Sequence, residues 1–118
     1  MNRYLQVFTT IDDAQAAERI ARALVEARLA ACVQIAGPIA SVYRWKGKVE
    51  QAREWLCIIK SREALYRKIE AEIKRLHPYD VPEIIAIPIC KASGDYICWL
   101  EQATASRPSA RPRPARRK

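Results

Sequence analysis

The 118-residue chain is short of several residue types on which chemistry depends, and each shortage closes off a class of function. It holds a single histidine, His77, so any hydrolytic nucleophile would have one candidate base to work with. Its three glycines, Gly37, Gly47 and Gly94, lie far apart, and none falls in the spacing of a phosphate-cradling loop. Its four cysteines, Cys32, Cys57, Cys90 and Cys98, sit singly, and no Cys-x-x-Cys or His-x-x-x-His spacing offers a ready metal clamp. No apolar run approaches the roughly 18 residues needed to span a bilayer, and no secretory leader stands at the start. The expectation is a non-enzymatic protein of the reducing cytoplasm, with no membrane partner, in which cysteine behaves as a small hydrophobe.

What is abundant is positive charge, +8 overall, but it is badly distributed. Six basic residues and no acidic one lie from Arg107 onward, leaving 15 basic against 13 acidic in residues 1–106. The near-neutral part, residues 1–105, is expected to be one folded domain. Residues 106–118 contain no large apolar side chain and are expected to be a disordered Arg/Pro tail touching anionic partners weakly.

Along the chain, residues 3–10 read as a strand. Asp12 with Gln15 has the form of a capping box, and Ala16, Ile20, Leu24 and Ala27 give a helix one apolar stripe. Residues 29–45 read as a long strand broken at Gly37-Pro38, returning through a turn at Gly47 into a second long strand over residues 49–60. Both exceed the usual five or six residues, so the hairpin should need a partner. Ser61 is expected to cap a second helix with Leu65, Ile69, Ile73 and Leu76 inward and His77 in its last turn. Residues 83–90 read as a strand in which Pro88 argues for an edge position or a bulge, and a last helix opens at Gly94-Asp95. The order predicts an α+β, ferredoxin-like βαββαβ sandwich with an extra C-terminal helix. One sheet face is then left bare, and three copies packed sheet to sheet would cover it.

Pro78 and Pro82 hold the corner between the second helix and the last strand extended. They fix His77 near Tyr79, Asp80 and Glu83, a cluster that reads either as punctuation or as a site. Cys32, in the apolar run Leu29-Ala30-Ala31-Cys32-Val33, reads as a packed thiol or a soft ligand. An RNA-recognition module would place an aromatic after Lys46-Gly47, where Lys48-Val49 stands, so no nucleic-acid partner is expected of the folded part.

Five stretches in order resemble the CutA, or divalent-cation tolerance, family: Leu29-Ala30-Ala31-Cys32-Val33, Tyr43-Arg44-Trp45-Lys46-Gly47-Lys48, Ile58-Ile59-Lys60, His77-Pro78-Tyr79-Asp80-Val81-Pro82-Glu83-Ile84-Ile85 and Asp95-Tyr96-Ile97-Cys98-Trp99-Leu100. The resemblance covers roughly residues 3–104. It implies a homotrimer similar to PII signalling proteins, with long hairpins pairing between subunits. It also implies an interface pocket to which Cys32, Trp45, Lys60, His77, Tyr79, Glu83, Tyr96 and Trp99 match, binding a metal ion such as copper or zinc, or a small anion. In that reading His77 is the metal ligand or titratable donor, and Lys60 the charge partner of an anion or of Glu83. Glu83 orients one of these, while Tyr79 and Trp99 form a wall. Some members bind copper through a cysteine at the end of the first strand and two adjacent histidines; here Thr9 and Leu76-His77 stand there, so only His77 matches. The alternative is a PII-like signalling or scaffold trimer whose pocket residues only hold the interface.

Overall fold

The first strand, β1 (Tyr4–Ile11), shows which way the domain faces. Its odd-numbered residues Leu5, Val7, Thr9 and Ile11 are all buried, as strand alternation requires of the side turned to a helix layer. The computed structural model describes residues 3–106. After β1 come α1 (Ala14–Glu26), β2 (Cys32–Trp45), β3 (Lys48–Arg62), a 3-10 turn (Glu63–Leu65), α2 (Tyr66–Leu76), β4 (Ile85–Pro88) and α3 (Gly94–Ala103). The antiparallel sheet runs β2-β3-β1-β4, the expected ferredoxin-like plan with an added helix. The basic tail from Arg107 lies outside the described residues.

The core forms where the odd face of β1 and its β3 partners, Cys57 and Ile59, meet Ala17, Ile20 and Leu24 of α1 and Ile69 and Ile73 of α2. Each large aliphatic buried there contributes roughly 1.5–3 kcal/mol before chain entropy is counted. The stripe predicted for α2 is the one found, with Ile69 and Ile73 fully buried. In α1 the stripe is broader, taking in Ala17 and Ala21, while Ala27 is the exposed C-cap.

Local punctuation differs from expectation in four places, each for a physical reason. Asp13, not Asp12, caps α1, its carboxylate accepting from Ala16 N at 2.9 Å. Ser61 does not cap α2. It is a fully buried residue of β3 whose hydroxyl donates to Leu29 O at 2.5 Å, tying the strand to the turn after α1. Strand β2 starts at Cys32 because α1 ends through Arg28 at φ 61, and Leu29 N and Ala30 N fold back on Leu24 O. His77 is the extended C-cap of α2 (ψ 134), outside the helix, because Pro78 disfavours helical geometry in the residue before it.

The even-numbered face of the sheet lies away from α1 and α2. By register it carries Gln6 and Phe8 of β1, Leu56, Ile58 and Lys60 of β3, and Ile85 and Ile87 of β4. Ile85 and Ile87 are 53% and 45% exposed. Helix α3 reaches only one end of this face. There the Tyr4 hydroxyl donates to Glu101, and Arg62 donates through Nε and a terminal nitrogen to Thr104, at 2.9 and 3.0 Å.

A candidate ligand cleft at the root of the hairpin

The β2–β3 hairpin outruns the sheet, since β1 stops pairing with β3 at Ile11↔Trp55 while β2 stays paired to Trp45↔Lys48. The tip turns through Lys46 and Gly47, both with positive φ, as a two-residue hairpin requires. The register shifts by one residue between Ala36 and Ile39, at Gly37-Pro38. Such a shift moves every following side chain to the other face. Ile39, Ser41, Tyr43 and Trp45 therefore share a face with Glu54 and Ala52, whereas an unbroken register would have put Val42 and Arg44 there. The interruption at Gly37-Pro38 is what turns the aromatics toward the open side. Trp55 packs against it so closely that a Cβ on Gly37 would meet Trp55 Cδ1 at 2.6 Å.

Opposite this ribbon runs the corner after α2, which carries the chain past the end of β1 toward β4. His77 anchors it: the residue is 7% exposed, Nε2 lies 2.7 Å from Thr10 O, and Nδ1 accepts from Tyr79 N at 3.2 Å. An acceptor at Nδ1 fixes the proton on Nε2, so Nε2–H donates to Thr10 O and both nitrogens are engaged. The imidazole meets the Tyr79 ring edge-on, centroids 4.6 Å apart. Tyr79 then spans the gap, its hydroxyl donating to Glu54 Oε2 at 2.8 Å, while Thr10 Oγ1 donates to Glu83 Oε1 at 3.4 Å. Burial first, and then the bonded Glu54 carboxylate, push the Tyr79 phenol well above its ordinary range.

Between ribbon and corner lies a cleft of about 670 Å³. Tyr43, Trp45 and Tyr79 give it aromatic surface, and Asp12, Glu54, Asp80 and Glu83 give it four carboxylates. Among the described residues no lysine or arginine lines it. Glu54 is only 5% exposed, and among the described residues the Tyr79 hydroxyl is its one hydrogen-bond partner and no ion pair reaches it.

Within one chain the eight residues matched from the sequence fall in three places. Trp45, Tyr79 and Glu83 line the cleft, and His77 stands behind it. Cys32 and Lys60 face each other across β2 and β3, where Lys60 Nζ donates to Gln34 Oε1 at 2.8 Å. Lys60 is level with Gln6, four residues along β1 from the Thr10 that holds Glu83, or about 13 Å, so one chain forms no Lys60–Glu83 pair. Tyr96 and Trp99 pack together on α3, ring centroids 5.4 Å apart. Sequence reasoning missed Glu54 and Tyr43. The available signal was the alternation of β3 read through a one-residue slip at Gly37-Pro38, which sets Tyr43 and Glu54 on one face.

The donors do not fit a metal held by one chain. Among the described residues no group of three or more His, Cys, Asp or Glu side chains converges as ligands would, and His77 could bind a cation only by giving up a bond it already makes.

The chain matches the family model described as CutA1 divalent ion tolerance protein over residues 5–103. It is 43% identical over 98 residues to the divalent-cation tolerance protein CutA of Thermus thermophilus, covering 83% of this chain and 95% of that one. It is 42% identical over 98 residues to the chloroplastic protein CutA of Arabidopsis thaliana, covering 83% of this chain and 54% of that one, so it spans about half of the plant protein. It superposes on a crystal structure of CutA1 from Oryza sativa with a TM-score of 0.85 at 40% identity, covering 90% of this chain and 97% of that one. A five-motif sequence pattern, the sheet order and these matches agree, and the chain belongs to the CutA1 divalent ion tolerance family.

Proposed function

We propose that this protein acts without catalysis in divalent-cation tolerance, as a homotrimer whose working crevices form where subunits meet. The observation that carries the reading is the uncovered sheet face, with Phe8, Leu56, Ile58, Ile85 and Ile87 on one side and a ribbon that outruns its own sheet. A monomer would leave that surface in water, whereas burial at roughly 25 cal/mol per Å² favours covering it with further copies. Copper or zinc would then be held by side chains from more than one subunit, since the described residues of one chain bring no three ligands together. The four carboxylates of the cleft favour a cation over the small anion also considered. Among the described residues no helix is long and apolar enough to cross a membrane. All four cysteines are unpaired, which supports a reducing compartment, the cytoplasm.

Calorimetric titration of the full chain with zinc and copper tests the metal part. Saturable binding in a fixed ratio to subunits is expected, and no binding of either ion would overturn it. The second reading, a PII-like scaffold, is favoured by the structural bonds His77 and Lys60 already make. Trimers that bind neither metal would select it.

A further inference from the structure

The chain's positive charge is concentrated at one place in the fold. Residues 62–76, from the end of β3 through α2, hold five basic and three acidic residues, which is the whole basic excess of residues 1–106. Six more basic residues and no acidic one follow from Arg107. The rest of the chain is balanced, so the net +8 belongs to the α2 stretch and the tail.

On α2 the two signs are also separated by depth. Its exposed residues are Arg67, Lys68, Ala71, Lys74 and Arg75. Glu70 and Glu72 lie lower, their side chains 34% and 23% exposed against 61% for Lys74 and 65% for Arg75, the cations they pair with. Among the described residues no ion pair reaches Arg67 or Lys68. Glu63, in the turn before α2, is the one exposed acid of the stretch.

The end of α3 brings the tail to the same place. Arg62 donates to Thr104 Oγ1 at 2.9 Å and to Thr104 O at 3.0 Å, while Arg28 donates to Gln102 O and Ala103 O, at 3.4 Å each. The last turn of α3 is thus pinned beside Arg62, four residues ahead of the first residue of α2. The 12 residues after Ser106 span at most about 40 Å, and α2 is about 16 Å long, so the tail is long enough to reach the whole stripe.

A stripe of cations beside a cationic tail is self-repelling until an anion of repeating charge lies against both. Nucleic acid supplies that repeat, and neutralising its phosphates releases condensed counterions. Five of the six basic residues of the tail are arginine, whose planar fork matches phosphate. Stripe and tail carry no aromatic residue on which bases could stack, which favours a duplex over a single strand. They carry no large apolar residue either, so a bilayer finds no anchor. The aromatic missing after Lys46-Gly47 argues against an RNA-recognition module, not against phosphate contacts on the helix layer.

We infer that the exposed stripe of α2 and the basic tail form one surface that binds a nucleic-acid duplex through its phosphate backbone, without reading sequence. This goes beyond the metal-tolerance reading and does not depend on it. The helix layer lies opposite the open sheet face, so assembly through that face would leave the stripe in water.

The test is fluorescence anisotropy of a labelled, random-sequence DNA duplex titrated with the full chain between about 50 and 200 mM salt. Eight phosphate contacts, from the six basic tail residues and from Arg67 and Lys68, would lose roughly 10³–10⁵ in affinity across that range. Arg67→Gln combined with Lys68→Gln should lower the salt slope by about 2, roughly one for each lost contact. Changing the six basic tail residues to glutamine should remove most of the remaining slope. All the changed positions are exposed or outside the described residues, so the core is untouched. No binding at about 50 mM salt, a slope that neither variant lowers, or a loss confined to the tail variant would overturn the inference. Tighter binding to phosphatidylserine vesicles than to the duplex would overturn it too, making the partner a membrane.

Discussion

The Tyr79–Glu54 bond ties the corner to the hairpin, and its strength can be isolated with Tyr79→Phe, Glu54→Gln and the double variant. The phenol donates at 2.8 Å to a carboxylate on a residue 5% exposed, so the bond is charge-assisted and largely dry on the acceptor side. Hydrogen bonds to charged groups contribute about 1.5–3 kcal/mol, and because Tyr79 is only partly buried the lower half of that range applies. In the Glu54→Gln variant the same hydroxyl meets a neutral acceptor, for which about 0.5–1.5 kcal/mol is the ordinary range. Tyr79→Phe should therefore cost about 2 kcal/mol in the wild type and about 1 kcal/mol in the Glu54→Gln background, a coupling near 1 kcal/mol. Urea unfolding at one fixed protomer concentration measures all four proteins, with midpoints compared only where the slopes agree. Additivity within about 0.3–0.5 kcal/mol would refute the reasoning, because it would mean that the charge adds nothing to the bond.

The raised Tyr79 phenol predicts an alkaline effect. Its folded-state value lies above the unfolded one of about 10, so its stabilisation is complete below about pH 10 and is lost as the pH rises through the folded value. Ultraviolet tyrosinate titration should show a late-ionising tyrosine that Tyr79→Phe deletes; an unchanged titration would contradict this. Nitrogen NMR of the single histidine should report Nε2–H with an unprotonated, hydrogen-bonded Nδ1, and the opposite tautomer would break the proposed link from Thr10 to Tyr79. Gly37→Ala should destabilise by about 1–3 kcal/mol through its clash with Trp55, read by thermal unfolding, and a neutral effect would show that the indole yields. Burial pushes the Cys57 thiol up to about 11, so a disulfide reagent at neutral pH should spare Cys57 until the protein unfolds.

The fold was readable because its main signals are local and repeated. The stripe of α2, the alternation of β1 and the positive-φ turn at Gly47 each state their element within a few residues. Punctuation was less readable where tertiary bonds compete. A serine before a helical pattern looks like a cap, but Ser61 is claimed by Leu29 O across the sheet, and Asp13 outcompetes Asp12 by one residue of phase. The candidate site was half legible. The corner at His77 announces itself by its prolines, whereas Glu54 sits in a polar run that reads as solvated ribbon until the slip at Gly37-Pro38 is counted. The scatter of Cys32, Lys60, Tyr96 and Trp99 fits the proposed trimer, in which residues that meet only across subunits would carry no mutual signal within one chain.

On the proposed reading, identical copies satisfy the bare sheet face and the overlong ribbon. Sedimentation velocity of the full chain at micromolar concentration tests it most directly, paired with Ile87→Lys, which puts a charge on the exposed face of β4. A single trimeric species in the wild type, lost or weakened in the variant, is the predicted result. A well-folded single subunit in the wild type would contradict the claim.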